Sequence, residues 1–480
     1  MSKNNVIELR EFDYVFASNH RNSSDPRFNR VSPEDFKQIR EFLAKYIDTS
    51  IKNNCNFNPY DFMTLSSKKG YGEVIQFRNY VGVIQLPNGL QIEVLPKFQF
   101  KDDQTEHGVK YPKTKRVFTM MLMSLRAPDG KLYTQTNLGI QKASLFELFI
   151  NLYVHQVSDL VKKGLRSNYQ QISENLNHFV GRLLIKEQIT KNTLHKEKFY
   201  VIHDIYSLNR PENKLIKSCL GKLLKLTHSS KNKQQLKILI DDFENVSEST
   251  NYESDFKQIQ KNRLMSSYDQ ILDWTEVFLN NKGFSTFHGK KEANAILFPM
   301  EKVFESFVAR QFQKIIKKDP GFQNFSISIQ DKGKYLFNRI DGKSKQQFSL
   351  RPDIVIYEYV ANEKVPKFIL DTKWKNIGAD KGHLGGISQS DLYQMLAYTQ
   401  RYNTPYVFLI FPDNDNSKLA FSRLSFVQQQ NTRPDIDLKI EKLDMQTLSK
   451  QNGKESLLKE VIDTISDLIT QSPQSSSISD

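Results

Sequence analysis

The residues best suited to chemistry lie between Arg351 and Tyr398. Arg351-Pro352-Asp353 heads an apolar run, Phe368-Ile369-Leu370 leads into Asp371-Thr372-Lys373-Trp374, and Asp391, Gln394 and Tyr398 follow at helical spacing. Two carboxylates and an ammonium group in one place can cleave a phosphodiester with a divalent metal. The hard anionic oxygens hold the cation, and the lysine meets the charge that develops on the phosphate. Side chains alternate along a strand, so Asp371 and Lys373 share a face while Leu370, Thr372 and Trp374 point the other way. Asp353 shares its face with Val355 and Tyr357, with Ile354 and Ile356 opposite. A hairpin connected through 360–364 then brings Asp353 beside Asp371, with Lys373 one step along the strand.

Asp-x-Lys by itself carries little information. The chain has it six times, at Asp35, Asp129, Asp255, Asp341, Asp371 and Asp437, and only Asp371 follows an apolar Phe-Ile-Leu run. Charges in so apolar a strand need a reason, because burying them unpaired is costly. The segment Arg433-Pro434-Asp435-Ile-Asp437-Leu-Lys439 repeats the letters, but its acids sit on one short stretch and cannot come from two strands. A structural ion pair is the alternative for Asp353, Asp371 and Lys373.

The elements that must position these residues are legible in outline. Ser388 followed by Asp391 predicts a helix start, with Asp391, Gln394 and Tyr398 on one side and Leu392, Met395, Leu396 and Thr399 on the other. Val303, Phe304, Phe307, Val308, Phe312, Ile315 and Ile316 form the apolar stripe of an earlier helix. Tyr406–Phe411 reads as a later strand, and the stripe from Leu457 to Ile469 as a closing helix. Upstream, Pro33–Ile47 reads as a helix capped by Ser32, and Asn88-Gly89 between alternating runs signals a hairpin. Ser144-x-x-Glu147 opens a periodic helix that Gly164 can end. Residues 165–285 read as mainly helical, with a polar loop over 245–254. The fold class expected is α+β and multidomain: a β-rich N-terminal region over 1–135, a mainly helical middle over 136–285, an α/β domain with a C-terminal helix over 286–470, and a disordered tail over 471–480.

Pro352-Asp353 with Asp371-Thr372-Lys373 resembles the core of the PD-(D/E)xK nucleases, and Gln394 with Tyr398 resembles the Q-x-x-x-Y motif of some of their branches. Such nucleases carry a further acid on a helix before the strands. Glu305 fits that place, with Glu301 as competitor, although a first-turn acid is favourable in any helix. The likeness runs wider. Tyr80-Val-Gly82-Val-Ile-Gln-Leu-Pro-Asn88-Gly89 through Leu95-Pro96-Lys97, Asn175-Leu-Asn-His-Phe-Val-Gly181-Arg182, Phe199-Tyr200, Asn209-Arg-Pro211-Glu212-Asn213 and Phe298-Pro-Met-Glu-Lys-Val-Phe304-Glu305 are similar to the McrC family. Together they cover most of residues 70–410; residues before 70 carry none of these motifs.

The resemblance implies the nuclease subunit of an McrBC-type, methylcytosine-dependent restriction system. It implies Mg²⁺ on Asp353 and Asp371, with Glu305 as a further ligand and the carbonyl after Asp371 as another. Lys373 then activates water and steadies phosphate charge, and Gln394 and Tyr398 orient the site. It also implies double-stranded DNA as substrate and an McrB-like AAA+ GTPase oligomer as partner, engaged by the β-rich N-terminal region. GTP belongs to that partner: this sequence has no G-x-x-x-x-G-K-[ST] loop, and Gly378-Ala-Asp-Lys-Gly382-His-Leu-Gly-Gly386 has the wrong order.

Composition agrees with a DNA-handling protein. The 480 residues hold 68 Lys and Arg against 54 Asp and Glu, a net charge of +14, and a basic surplus favours a polyanion. Cys55 and Cys219 give neither a disulfide framework nor zinc spacing. The N-terminal residues are polar and the apolar runs are too short to cross a bilayer, so a cytoplasmic location with no membrane association is expected. Two other functions remain open: a standalone exonuclease or repair nuclease, and a non-cleaving adaptor that stimulates an AAA+ motor.

Overall fold

The computed structural model describes residues 6–17, 25–52, 61–122 (apart from 87, 99, 101–102 and 104–110), 144–259, 266–280, 294–413 (apart from 340–344 and 380), 418–425 (apart from 420), 437–449 and 457–471. Of the tail expected over 471–480, Gln471 ends the closing helix and 472–480 lie outside the described residues. The chain divides into two compact units, one formed by 1–142, 289–293 and 297–480, the other by 143–288 and 294–296.

The first unit opens with β1 (Val6–Arg10), β2 (Tyr14–Ala17), β3 (Phe28–Val31), α1 (Pro33–Lys52), β4 (Met63–Lys68), β5 (Gly72–Phe77), β6 (Tyr80–Gln85), β7 (Gln91–Leu95) and α2 (Pro112–Leu122). Ser32 caps α1 as expected: its hydroxyl accepts the Asp35 N–H at 3.0 Å. The strands form two sheets. One has the order β3-β2-β5-β4, and the other contains β1-β7-β6. The expected hairpin at Asn88-Gly89 is the antiparallel β6–β7 pair, closed by the Leu86 N–H donating to the Leu90 carbonyl. Asn88 Oδ1 accepts the Leu90 N–H, and Gly89 supplies the positive φ the turn needs.

The second unit contains α3 (Leu145–Lys162), β8 (Asn168–Leu176), β9 (Arg182–Leu183), α4 (Ile185–Lys191), β10 (Phe199–Ser207), α5 (Pro211–Leu226), α6 (Ser230–Asp242), α7 (Tyr252–Gln258) and α8 (Ser266–Asn280). Ser144 caps α3 through the Glu147 N–H. Its helices bury Tyr153, whose hydroxyl pairs with Thr275 at 2.8 Å, and Tyr268, which donates to Asn213 at 3.0 Å. A mainly helical reading of 165–285 holds from Pro211 onward but misses the antiparallel sheet β8-β10-β9. Asn-Tyr-Gln-Gln-Ile-Ser-Glu-Asn-Leu in β8 has no apolar alternation to announce a strand. Gly181 is fixed by this sheet: φ is +68°, and a Cβ there would stand 2.3 Å from the Ile202 carbonyl oxygen.

The remainder of the chain begins with β11 (Asn294–Pro299), which joins the β1-β7-β6 sheet. Then come α9 (Met300–Lys318), β12 (Phe325–Ile329), β13 (Lys334–Arg339), β14 (Lys345–Leu350), β15 (Ile354–Val360), β16 (Glu363–Thr372), α10 (Gln389–Tyr402), β17 (Tyr406–Asp413), β18 (Arg423–Ser425) and β19 (Asp437–Asp444), with a closing helix Lys459–Gln471. The sheet order is β12-β15-β16-β17-β19-β18. Strands β15 and β16 form the expected antiparallel hairpin; β16, α10 and β17 make a parallel crossover. The central strands are buried on both faces, which explains their unbroken apolar runs. Helix α10 covers one face: Met395, Tyr398 and Tyr402 pack with Val355, Ile369, Val407 and Leu409. Helix α9 brings Phe304 against Trp374, ring centroids 5.4 Å apart.

Candidate active site

The β15–β16 register pairs Ile354 with Leu370, so Asp353 and Asp371 are the next residues opposite one another. Asp353 stands in a bulge. Four residues, 330–333, separate β12 from β13, but only three, 351–353, separate β14 from β15; an unequal count of this kind bends a hairpin and re-aims its side chains. The Asp353 carboxylate accepts both the backbone N–H and the hydroxyl of Thr372, at 2.8 and 2.7 Å. Gln330 ties the bulge together, donating its backbone N–H to the Asp353 carbonyl at 2.8 Å.

Asp371 and Lys373 meet as the strand alternation requires, with Lys373 Nζ 2.6 Å from Asp371 Oδ2. The ammonium is poorly aligned for a hydrogen bond there, which leaves that buried oxygen with an ionic neighbour but no well-directed donor. Lys373 donates instead to Gln394 Oε1 at 2.9 Å, and Gln394 Nε2 donates to the Tyr398 hydroxyl at 2.7 Å. The capping box of α10 sets that helix in register: Ser388 and Asp391 exchange side-chain and backbone bonds. Asp391 also pairs with Lys375 at 2.7 Å, so it serves the helix start and stays outside the Lys373–Gln394–Tyr398 chain.

Glu305 is buried on α9 and reaches the same region less directly. Its Oε1 accepts Gln330 Nε2 at 2.6 Å, and its Oε2 pairs with Lys302 at 2.9 Å. Glu301 faces elsewhere, since the charges that feel it are those of Glu11, Tyr80 and Lys97. Glu305 is felt by Asp353, Asp371 and Tyr398.

Electrostatically the site wants a cation. Burial, then the charges of Asp371 and Glu305, push Asp353 up to about 7. Burial also raises Asp371, although Lys373 opposes it. Lys373 is held above its ordinary value because Asp371 and Asp353 outweigh the effect of its own burial. Among the described residues no three His, Cys, Asp or Glu side chains form a ready-made cage. The donors present fit Mg²⁺ all the same, since that ion keeps several waters and takes one or two carboxylates, and Asp353 and Asp371 supply such a pair.

A family model for the McrBC 5-methylcytosine restriction system component matches residues 75–412. The chain belongs to this family. A solved chain from the Thermococcus gammatolerans assembly of McrB AAA+ hexamers with bound McrC shares its fold, with a TM-score of 0.61 at 16% identity over 96% of this chain and 100% of that one. The cryo-EM structure of the Thermococcus gammatolerans McrBC complex gives 0.41 at 17% identity over 64% and 87%. No curated protein matches. The family match spans every McrBC-like motif from Tyr80 to Tyr398.

Sequence reasoning missed three members of this candidate site. Gln330 bridges Glu305 and Asp353 from a left-handed backbone, φ +48°, and nothing in Ser-Ile-Gln-Asp announces it. The Thr372 hydroxyl turns to Asp353, although its place between acid and lysine drew attention only to its carbonyl. Asp331 accepts the hydroxyls of Tyr357 and Tyr402 at 3.0 and 2.9 Å, anchoring the bulge to β15 and α10. The Asp437 copy of the motif proves structural: it pairs with Arg423 at 2.6 Å.

Proposed function

We propose that this McrBC-family chain is the DNA-cleaving subunit of a methylcytosine-dependent restriction complex, built on a PD-(D/E)xK nuclease core. The observation that carries the reading is the convergence of Asp353, Asp371 and Lys373 from two paired strands, with Lys373 held by Gln394. Asp353 and Asp371 would hold Mg²⁺ together with the backbone carbonyl of Thr372, and Glu305 would bear on it directly or through water. A bound Mg²⁺ would supply Lewis-acid polarisation of the phosphoryl oxygen and an acidified water. Lys373 presents its ammonium to the scissile phosphate and stabilises the charge that grows there. Gln394 fixes Lys373, and Tyr398 fixes the Gln394 amide so that its oxygen faces the lysine.

Turnover would depend on an McrB-like AAA+ GTPase oligomer. The structural neighbour comes from an assembly of McrB AAA+ hexamers with bound McrC, and this chain has no phosphate loop of its own. The test is cleavage of methylated and unmethylated plasmid with Mg²⁺, by the chain alone and with its AAA+ partner and GTP. Cutting only of methylated DNA with partner and GTP is the expected result. Partner-independent cutting of either plasmid overturns it in favour of a standalone nuclease, and GTPase stimulation without any cutting in favour of an adaptor.

A further inference from the structure

Strands β13 and β14 form a separate two-stranded hairpin, and both of its roots are site residues: Gln330 and Asp331 on one side, Asp353 on the other. The root is anchored. Asp331 is held by Tyr357 and Tyr402, and Lys334 Nζ lies 5.5 Å from the centre of the Tyr402 ring.

Beyond the root, the hairpin exposes two aromatic rings. Phe337 is 59% and Phe348 69% exposed, and the rings meet edge to face with centroids 5.8 Å apart. The register pairs Phe337 with Gln347, so regular alternation would send Phe348 to the other face. It does not go there because Phe348 has φ +58°, a conformation that bulky residues rarely adopt. The strained backbone turns the second ring toward the first. Backbone strain of this kind gathers at ligand clamps and functional sites, and an exposed aromatic pair is informative in a way that single surface apolar residues are not.

The charge around the rings selects the partner. Among the described side chains of the hairpin, Lys332 and Arg351 are exposed beside the root and Lys334 lies over Tyr402. A protein surface of mixed charge would gain little here, whereas a polyphosphate backbone carrying bases gains twice: cations neutralise phosphates, and rings stack on or wedge between bases. We propose that the β13–β14 hairpin is a DNA-gripping arm that holds the duplex next to the scissile phosphate, with Phe337 and Phe348 against the bases and Lys332 and Arg351 on the backbone. This rests on the nuclease reading of the Asp353–Asp371–Lys373 site.

The test is binding of the full chain to a fluorescent duplex by anisotropy, without divalent metal so that no cutting occurs. F337A/F348A should weaken binding by about ten-fold or more with an unchanged slope of log affinity against log salt. F337Y/F348Y should restore affinity, and K332A/R351A should make the slope shallower by about 2. D371N is the reference for the nuclease reading: on methylated plasmid with Mg²⁺, the AAA+ partner and GTP it should cut nothing. Parental affinity in F337A/F348A, or no duplex binding by the parent, overturns the arm. So does loss of self-association or of AAA+ partner binding in F337A/F348A with DNA binding intact, which would make the rings a protein interface. A D371N protein that still cuts overturns the nuclease reading instead, whatever the arm does.

Discussion

Glu11 and Trp374 are joined by a buried hydrogen bond across most of the chain: the indole N–H donates to Glu11 Oε2 at 2.9 Å. Lys97 completes the contact. Its backbone N–H donates to the same carboxylate oxygen at 3.2 Å, and its ammonium donates to the Trp374 carbonyl at 2.8 Å. Trp374 directly follows Lys373, so the N-terminal strands clamp the end of the strand that presents the ammonium. Burial raises Glu11 above the usual carboxylate range and lowers Lys97. Glu11→Ala should leave the indole N–H and the Lys97 backbone N–H without their acceptor, at a cost of about 1–3 kcal/mol. Calorimetry should show a lower Tm and the cleavage assay a lower rate, with Glu11→Gln intermediate in both. An unchanged Tm in Glu11→Ala would mean that the clamp contributes nothing.

Tyr398→Phe isolates the orientation of Gln394. Without the hydroxyl, the Gln394 amide can turn its nitrogen toward Lys373 and repel it. The fold should survive, because the ring still packs with Met395 and Tyr402. Cleavage should fall by about ten-fold at unchanged DNA affinity, less than the roughly 10²–10⁴-fold loss that follows removal of an acid–base group itself. Equal single-turnover rates in the two proteins would remove Tyr398 from the site.

Lys115 holds buried Glu93 and half-buried Glu8 beneath α2, with Nζ 2.6 Å from Glu8 and 3.0 Å from Glu93. Its burial lowers the affinity for the proton, but Glu93 and Glu8 outweigh that and keep it charged. Lys115→Met would strand two facing carboxylates, a loss of about 3–5 kcal/mol. Adding Glu93→Leu to that variant should recover part of the loss in urea titrations. A single variant as stable as the parent would show the triad to be dispensable.

Stability should depend on pH through Asp13. Burial lifts its carboxyl from the usual 3.8 to about 6, against the opposing hydrogen bond from Arg10. Between those values the folded chain binds more protons than the unfolded one, so stability falls as pH rises from about 4 to about 6. The full effect is about 3 kcal/mol above that window and vanishes below it. Asp13→Asn should flatten the corresponding part of the Tm-versus-pH curve; a curve of unchanged slope would show that Asp13 is solvated in the folded protein.

What the sequence determined by itself is whatever local spacing encodes. Alternation put Asp371 and Lys373 on one face, the hairpin put Asp353 opposite Asp371, the Ser388–Asp391 box set the start of α10, and helical spacing brought Gln394 to Tyr398. These relations reach across a few residues, or across one short turn, and backbone geometry repeats them in any protein. Where side-chain patterning is weak the reading failed, as in polar β8. Tertiary structure alone decided which acid on α9 turns toward the site, that Gln330 links Glu305 to the Asp353 backbone, that Thr372 closes on Asp353, and that Glu11 and Lys97 hold Trp374. Each of these depends on the register between segments tens to hundreds of residues apart. That register is set by how whole sheets and helices pack, and no periodicity in the chain records it.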